Sequence, residues 1–220
     1  MATHIANAVT FTFMKTLFFY FMFATLTVSA QENYNQDQDY HFNLAEINLK
    51  NGNGLLALKH FHAVKMFEMN TIRENLAQIK IDSLLPIYQK LERQKWIGKW
   101  KLKQLQSNLF EYELITITND SIIFYSKNDL NIPTRAEWIY PVKNTTANEL
   151  PISKVNFANG EVWEFSVEIK DGQRRLFPTL KQSSDGLTWF LVDDRGIIRD
   201  PVARKKALES EIRTYYVPDE

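Results

Sequence analysis

The 220-residue chain contains no cysteine, which excludes disulfides, thiolate nucleophiles, zinc–thiolate sites and iron–sulfur clusters together. It also has no excess of charge. Its 26 basic residues are matched by 26 acidic ones, so there is no general pull toward nucleic acid or an anionic membrane. Only four histidines are present, and no apolar run reaches the ~20 residues of a membrane-spanning helix. What is abundant is aromatic: 15 Phe, 9 Tyr and 5 Trp. An apolar share of 45% and a charged share of 24% are ordinary for a globular chain and argue against wholesale disorder.

Part of the aromatic excess belongs to a targeting segment. Lys15 is followed by the apolar run Leu17 to Ala24 and then by small residues ending at Val28-Ser29-Ala30. That order predicts a secretory signal over residues 1–30, cleaved after Ala30, with Met14 as the expected true start. An uncleaved N-terminal anchor is the alternative. Without cysteine after the run, a bacterial lipid anchor is excluded. The expected product is secreted or periplasmic, without a stable membrane span. It carries 25 basic and 26 acidic residues once Lys15 is removed. A secreted fold lacking disulfides must hold by its core.

Residues 31–40 are polar and amide-rich and read as a disordered leader. From 41 to 95 the apolar period is helical. Phe42, Leu44, Ile47 and Leu49 suit a first helix, ended by Asn51-Gly52-Asn53-Gly54. Leu55, Leu58, Phe61, Val64 and Phe67 suit a second, and Ile72, Leu76 and Ile79 a third. A fourth is expected to start at an Asp82-Ser83 cap with Pro86 in its first turn. Leu44-Ala45 and Ala57-x3-Phe61 in the first two helices resemble a single tetratricopeptide repeat. A generic helical hairpin fits the same residues.

At Trp96 the period becomes two. Trp96, Gly98, Trp100 and Leu102 share one face and Lys99, Lys101 and Lys103 the other, as in a strand with one dry side. Further strands are expected over 112–118, 121–125, 135–142, 152–157, 163–169, 174–180 and 187–192. Asn159-Gly160, Asp171-Gly172 and Asp185-Gly186 between them are hairpin signals for type I′ turns, so consecutive strands should be antiparallel neighbours. Asp200-Pro201 opens a short helix, and residues 212–217 read as a ninth strand. The fold class is therefore α+β: a helical segment, then an antiparallel meander of about eight or nine strands, closed or nearly closed, with a C-terminal helix.

That order, with Gly98-x-Trp100 at its start, resembles a lipocalin-like β-barrel over residues 96–220. The resemblance implies that Gly98 permits close backbone approach and that Trp100 plugs the barrel base as a structural residue. It also implies an arginine stacked on that Trp, with Arg199 and Arg213 among the candidates. The family's second motif, Thr-Asp-Tyr, is absent.

Trp138, Trp163, Phe165 and Trp189 are strand aromatics that could line a pocket for a small apolar or amphipathic ligand, or fill the interior themselves. His60 and His62 are two apart on a helix and point away from one another, so they do not form a metal site. Glu161, Glu164 and Glu168 are expected on a wet strand face. Asp193-Asp194 fits no calcium loop. Arg135, Arg174, Arg175 and Arg204-Lys205-Lys206 read as solvated basic spots. No catalytic constellation, metal site or cofactor-binding loop is visible. The leading functional expectation is non-catalytic ligand binding. The alternative is an interaction module that engages a protein partner through residues 41–95.

Overall fold

The structure is a computed structural model that describes residues 36–67, 71–104, 112–143 and 149–219. The expected signal sequence and the first half of the expected leader lie outside those residues. The chain divides into two compact units, one ending at Leu84 and the other starting at Leu85.

The helical unit contains α1 (36–50), α2 (Gly54–Lys65) and the first half of α3 (Ile72–Gln94). Helix α1 takes in residues 36–40, where the sequence suggested a leader. The reason is Gln38, which is buried and donates to the Val64 carbonyl at 3.2 Å while accepting from Thr71 Oγ1 at 2.8 Å. Gly52, at φ 76°, ends α1. Its N–H donates to the Leu49 carbonyl, and that of Asn53 donates to the Asn48 carbonyl. Ala45, Ala57, Leu58, Phe61 and Val64 are fully buried, with Phe42 edge-on to Phe61 at 5.5 Å.

The expected third and fourth helices are one. Ser83 does not cap a new helix; its hydroxyl donates to the Lys80 carbonyl at 2.8 Å. Pro86 lies inside α3 and removes one backbone hydrogen bond. Ala77, Ile81, Leu85 and Gln89 nevertheless form a buried row at steps of four. Burial of that continuous row outweighs the lost bond.

The second unit is a nearly closed, antiparallel nine-stranded barrel: β1 (Gly98–Gln104), β2 (Tyr112–Ile117), β3 (Ser121–Ser126), β4 (Arg135–Trp138), β5 (Tyr140–Pro141), β6 (Lys154–Asn156), β7 (Val162–Lys170), β8 (Gln173–Gln182) and β9 (Tyr215–Pro218). Their order is β4-β3-β2-β1-β9-β8-β7-β6-β5. The two end strands, β4 and β5, are separated only by Ile139. Residues 135–141 thus run as one extended segment that pairs first with β3 and then with β6, bringing the sheet's two ends together. Ile139 is buried at this changeover, and its N–H donates to the Asp120 carbonyl.

Residues 187–192 do not form the expected strand. They are held at their start by a Gln182–Thr188 bridge and a Trp189 N–H bond to the Lys181 carbonyl, and then leave the sheet as an extended strap. One edge of β8 is taken by β7, and its other edge is shared by the strap's start and β9. A 3₁₀ turn (Asp194–Ile197) and α4 (Pro201–Glu209) then lead to β9. Of the three expected type I′ turns, only Asp171-Gly172 has positive φ at both residues, 53° and 73°.

Candidate functional site

Five interior rings pack against one another in the barrel core. Trp163 and Phe165 of β7 are stacked at 6.0 Å and are 1% and 0% exposed. Phe165 meets Trp96 at 5.3 Å, and Trp163 meets Phe124 at 5.8 Å and Phe157 at 5.9 Å. These rings fill the space between opposite walls with one another. The Trp96 Nε1–H is buried and has no acceptor among the described residues.

Trp100 is 1% exposed and donates from Nε1 to the Trp96 carbonyl at 2.6 Å. Arg174 stands over its ring at 4.9 Å and donates to the Lys95 carbonyl. Arg213 lies elsewhere, over Phe177 at 3.8 Å. Gly98 has φ 140°, a region that strongly favours glycine. A Cβ there would come no closer than 3.8 Å to another group, so the dihedral rather than close approach accounts for glycine.

An ion-pair cluster packs against this aromatic core. Residues opposite one another in an antiparallel ladder share a face, so Arg135 opposite Phe124 and Glu137 opposite Ile122 point inward. Arg135 donates to Glu137 at 2.8 Å and to Glu161 at 2.7 Å, its guanidinium lying over Phe124 and Phe157. Trp163 Nε1 donates to the same Glu161 at 2.8 Å. Burial alone would raise the Glu161 pKa, but hydrogen bonds from Arg135 and Trp163 outweigh it and hold it below the usual value. Glu161 is therefore not on the expected wet face. It turns inward because Arg135 and the Trp163 indole both need its carboxylate.

On the outer face, β7 and β8 and the strap enclose a groove of about 440 Å³. Phe177 and Thr179 face outward along β8 and form its floor, and Trp189 and Leu191 contribute its apolar wall. Its charged groups are already paired. Lys181 bonds Glu164 at 2.8 Å, and Arg213 bonds Glu168 at 2.8 and 3.0 Å and Glu211 at 2.9 Å. Glu164 is pushed up by burial but held lower overall by Lys181. Hydrogen bonds from Arg213 hold Glu211 down to about 2.

A folded-state pKa below the unfolded one stabilises the fold above the unfolded value and loses that contribution as pH falls toward the folded value. Stability should thus decline between the ordinary 4.5 and about 2 as Glu211 becomes protonated. Glu211→Gln should flatten that limb in thermal melts across this pH range.

The four aromatics singled out from sequence do not share one surface. Trp163 and Phe165 are interior, Trp189 is 40% exposed in the outer groove, and Trp138 is 63% exposed on the outer face of β4. In the helical unit, His60 does not pair with His62. Its Nδ1 lies 3.1 Å from His41 Nδ1, and burial followed by repulsion from His41 lowers its pKa. Among the described residues there is no group of three or more His, Asp or Glu placed to hold a metal. No described helix is long and apolar enough to cross a membrane. Helix α3 leaves Ile72, Leu76 and Ile79 exposed along one side.

Sequence reasoning missed the inward Arg135–Glu137 pair, whose signal was an Arg and a Glu two apart on the parity of Ile139. It also missed Arg174 as the partner of Trp100. Comparison with family models, curated proteins and solved structures returned no match.

Proposed function

We propose that the chain is a secreted or periplasmic, non-catalytic binding protein with a lipocalin-like barrel, and that its small amphipathic ligand lies in the outer groove beside Trp189. The observation that carries this reading is the groove itself. About 440 Å³ falls within the roughly 300–1,000 Å³ of small-molecule sites, and an apolar wall faces convergent polar groups. Secretion is supported by the Lys15-to-Ala30 pattern. The lipocalin-like assignment is supported by Gly98-x-Trp100 with Arg174 over the indole.

The groove's chemistry narrows the ligand. Trp189, Leu191 and Phe177 suit an apolar body. Lys181 and Arg213 already have carboxylate partners, so a ligand with net charge would have to break an ion pair. An uncharged or zwitterionic polar end can hydrogen-bond there without doing so.

The test is a fluorescence titration with the uncharged dye N-phenyl-1-naphthylamine. The wild-type protein should bind it with enhanced emission, and Trp189→Ala should weaken binding about tenfold or more. A wild-type protein that binds no dye, or a Trp189→Ala variant that binds it equally well, overturns the assignment.

A further inference from the structure

Histidine is scarce in this chain, yet two of its four histidines meet across a helix pair. His41 of α1 and His60 of α2 are 19 residues apart in sequence, and their Nδ1 atoms approach to 3.1 Å. The two rings are tilted against one another with centroids 5.4 Å apart. Tyr40, edge-on at 5.4 Å, and Phe67, at 6.3 Å, flank the His41 ring. Both imidazoles are half-buried, so water still reaches them.

The pair stands apart from the ion pairs of this unit. Asp39 of α1 bonds Arg73 of α3 at 2.8 Å, and Glu46 of α1 bonds Lys80 of α3 at 3.2 Å. At 100° per residue, Asp39 and Glu46 share one side of α1, while His41 is turned about 200° from Asp39. The imidazoles thus occupy the seam between α1 and α2, away from the charged contacts to α3.

A direct contact between two Nδ1 atoms requires one to carry hydrogen and the other to offer a lone pair. Neighbouring rings must then hold different tautomers. A metal ion between them removes that demand, because both rings can carry hydrogen on Nε2 and aim an Nδ1 lone pair at the ion. The spacing suits such an ion. Metal–imidazole bonds of about 2.0–2.1 Å, at angles of about 90–110°, place two nitrogens roughly 2.8–3.4 Å apart.

We infer that His41 and His60 bind one borderline divalent cation of the zinc and copper(II) class through their Nδ1 atoms, with water in the other positions. Imidazole nitrogen favours these ions over magnesium and calcium, which take oxygen ligands. Asp37 is exposed one turn before His41 on the same side of α1, and offers a carboxylate for a further position. When the neutral pair takes up the ion, the donor ring passes its proton from Nδ1 to Nε2 by way of water, so none is released. The ion then joins α1 to α2 where the shared hydrogen did. This site lies in the helical unit and does not depend on what the outer groove binds.

The test is a zinc titration of the full-length, ¹⁵N-labelled protein, followed through the imidazole ring nitrogens, with magnesium as the control ion. The Nδ1 signals of His41 and His60 should shift together and saturate at one zinc per chain, with hydrogen kept on both Nε2 atoms. Magnesium should move neither. His41→Gln should weaken zinc binding about tenfold or more, at least the cost of losing an outer-shell partner. Far-UV circular dichroism checks that the variant keeps its helices; if it does not, the wild-type ring signals decide alone. No shift with zinc, a shift of one ring only, coordination through Nε2, an equal response to magnesium, or unchanged affinity in a folded His41→Gln variant overturns the inference.

Discussion

Arg135→Ala is expected to destabilise the barrel by about 3 kcal/mol, a fall in melting temperature of roughly 10 °C. Arg135 is 19% exposed, and Glu137 and Glu161 are each 15% exposed, so the cluster is largely withdrawn from water. Removing the cation leaves two carboxylates facing one another against Phe124 and Phe157, with no cation between them. The cost is dominated by the unpaired carboxylates rather than by the intrinsic strength of the pair. Arg135→Met combined with Glu137→Leu and Glu161→Gln should therefore recover much of the loss. Chemical denaturation of the three proteins checks this. If Arg135→Ala melts like the wild type, the cluster is a surface ion pair with little energetic role.

Trp163→Ala should be costlier still, by about 3–5 kcal/mol, because it removes the ring that Phe124, Phe157 and Phe165 all contact. It also removes a donor to Glu161. Trp138→Ala, chemically the same change, should stay within about 0.5 kcal/mol because the ring is on the outer face and 63% exposed. The contrast within one residue type separates strand parity from aromatic content. Comparable losses at both positions would mean that Trp138 also supports the core.

Much of the barrel was legible because local chemistry agrees with tertiary structure. The alternation from Trp96 to Lys103 places Trp100 inside and the lysines outside, as found in β1. Asp200-Pro201 starts α4 with the expected cap, and β9 follows it. Residues 135–141 were harder to read. Trp138 looks like the inward residue by hydropathy, but pairing with β3 turns Arg135 and Glu137 inward instead. An inward charge is tolerable only when its partners arrive from elsewhere, and Glu161 comes from 26 residues away. The strap was misread for a related reason. Leu187 to Val192 has strand composition, but forming a strand requires a free edge, and β9 shares the edge beside β8. The groove beside Trp189 follows from that departure and so could not be read from periodicity.

The five tryptophans provide one measurement that distinguishes an interior ligand from one held outside. Trp96, Trp100 and Trp163 are buried in the barrel core, Trp138 lies on the outer face of β4 and Trp189 lies in the groove. In a ¹H–¹⁵N spectrum each indole N–H reports its own surroundings during titration with N-phenyl-1-naphthylamine. The Trp189 resonance should move with added ligand while those of Trp96 and Trp163 stay fixed. Movement of Trp96, whose buried N–H is the interior donor without an acceptor among the described residues, together with a stationary Trp189 would contradict the account and place the ligand inside the barrel.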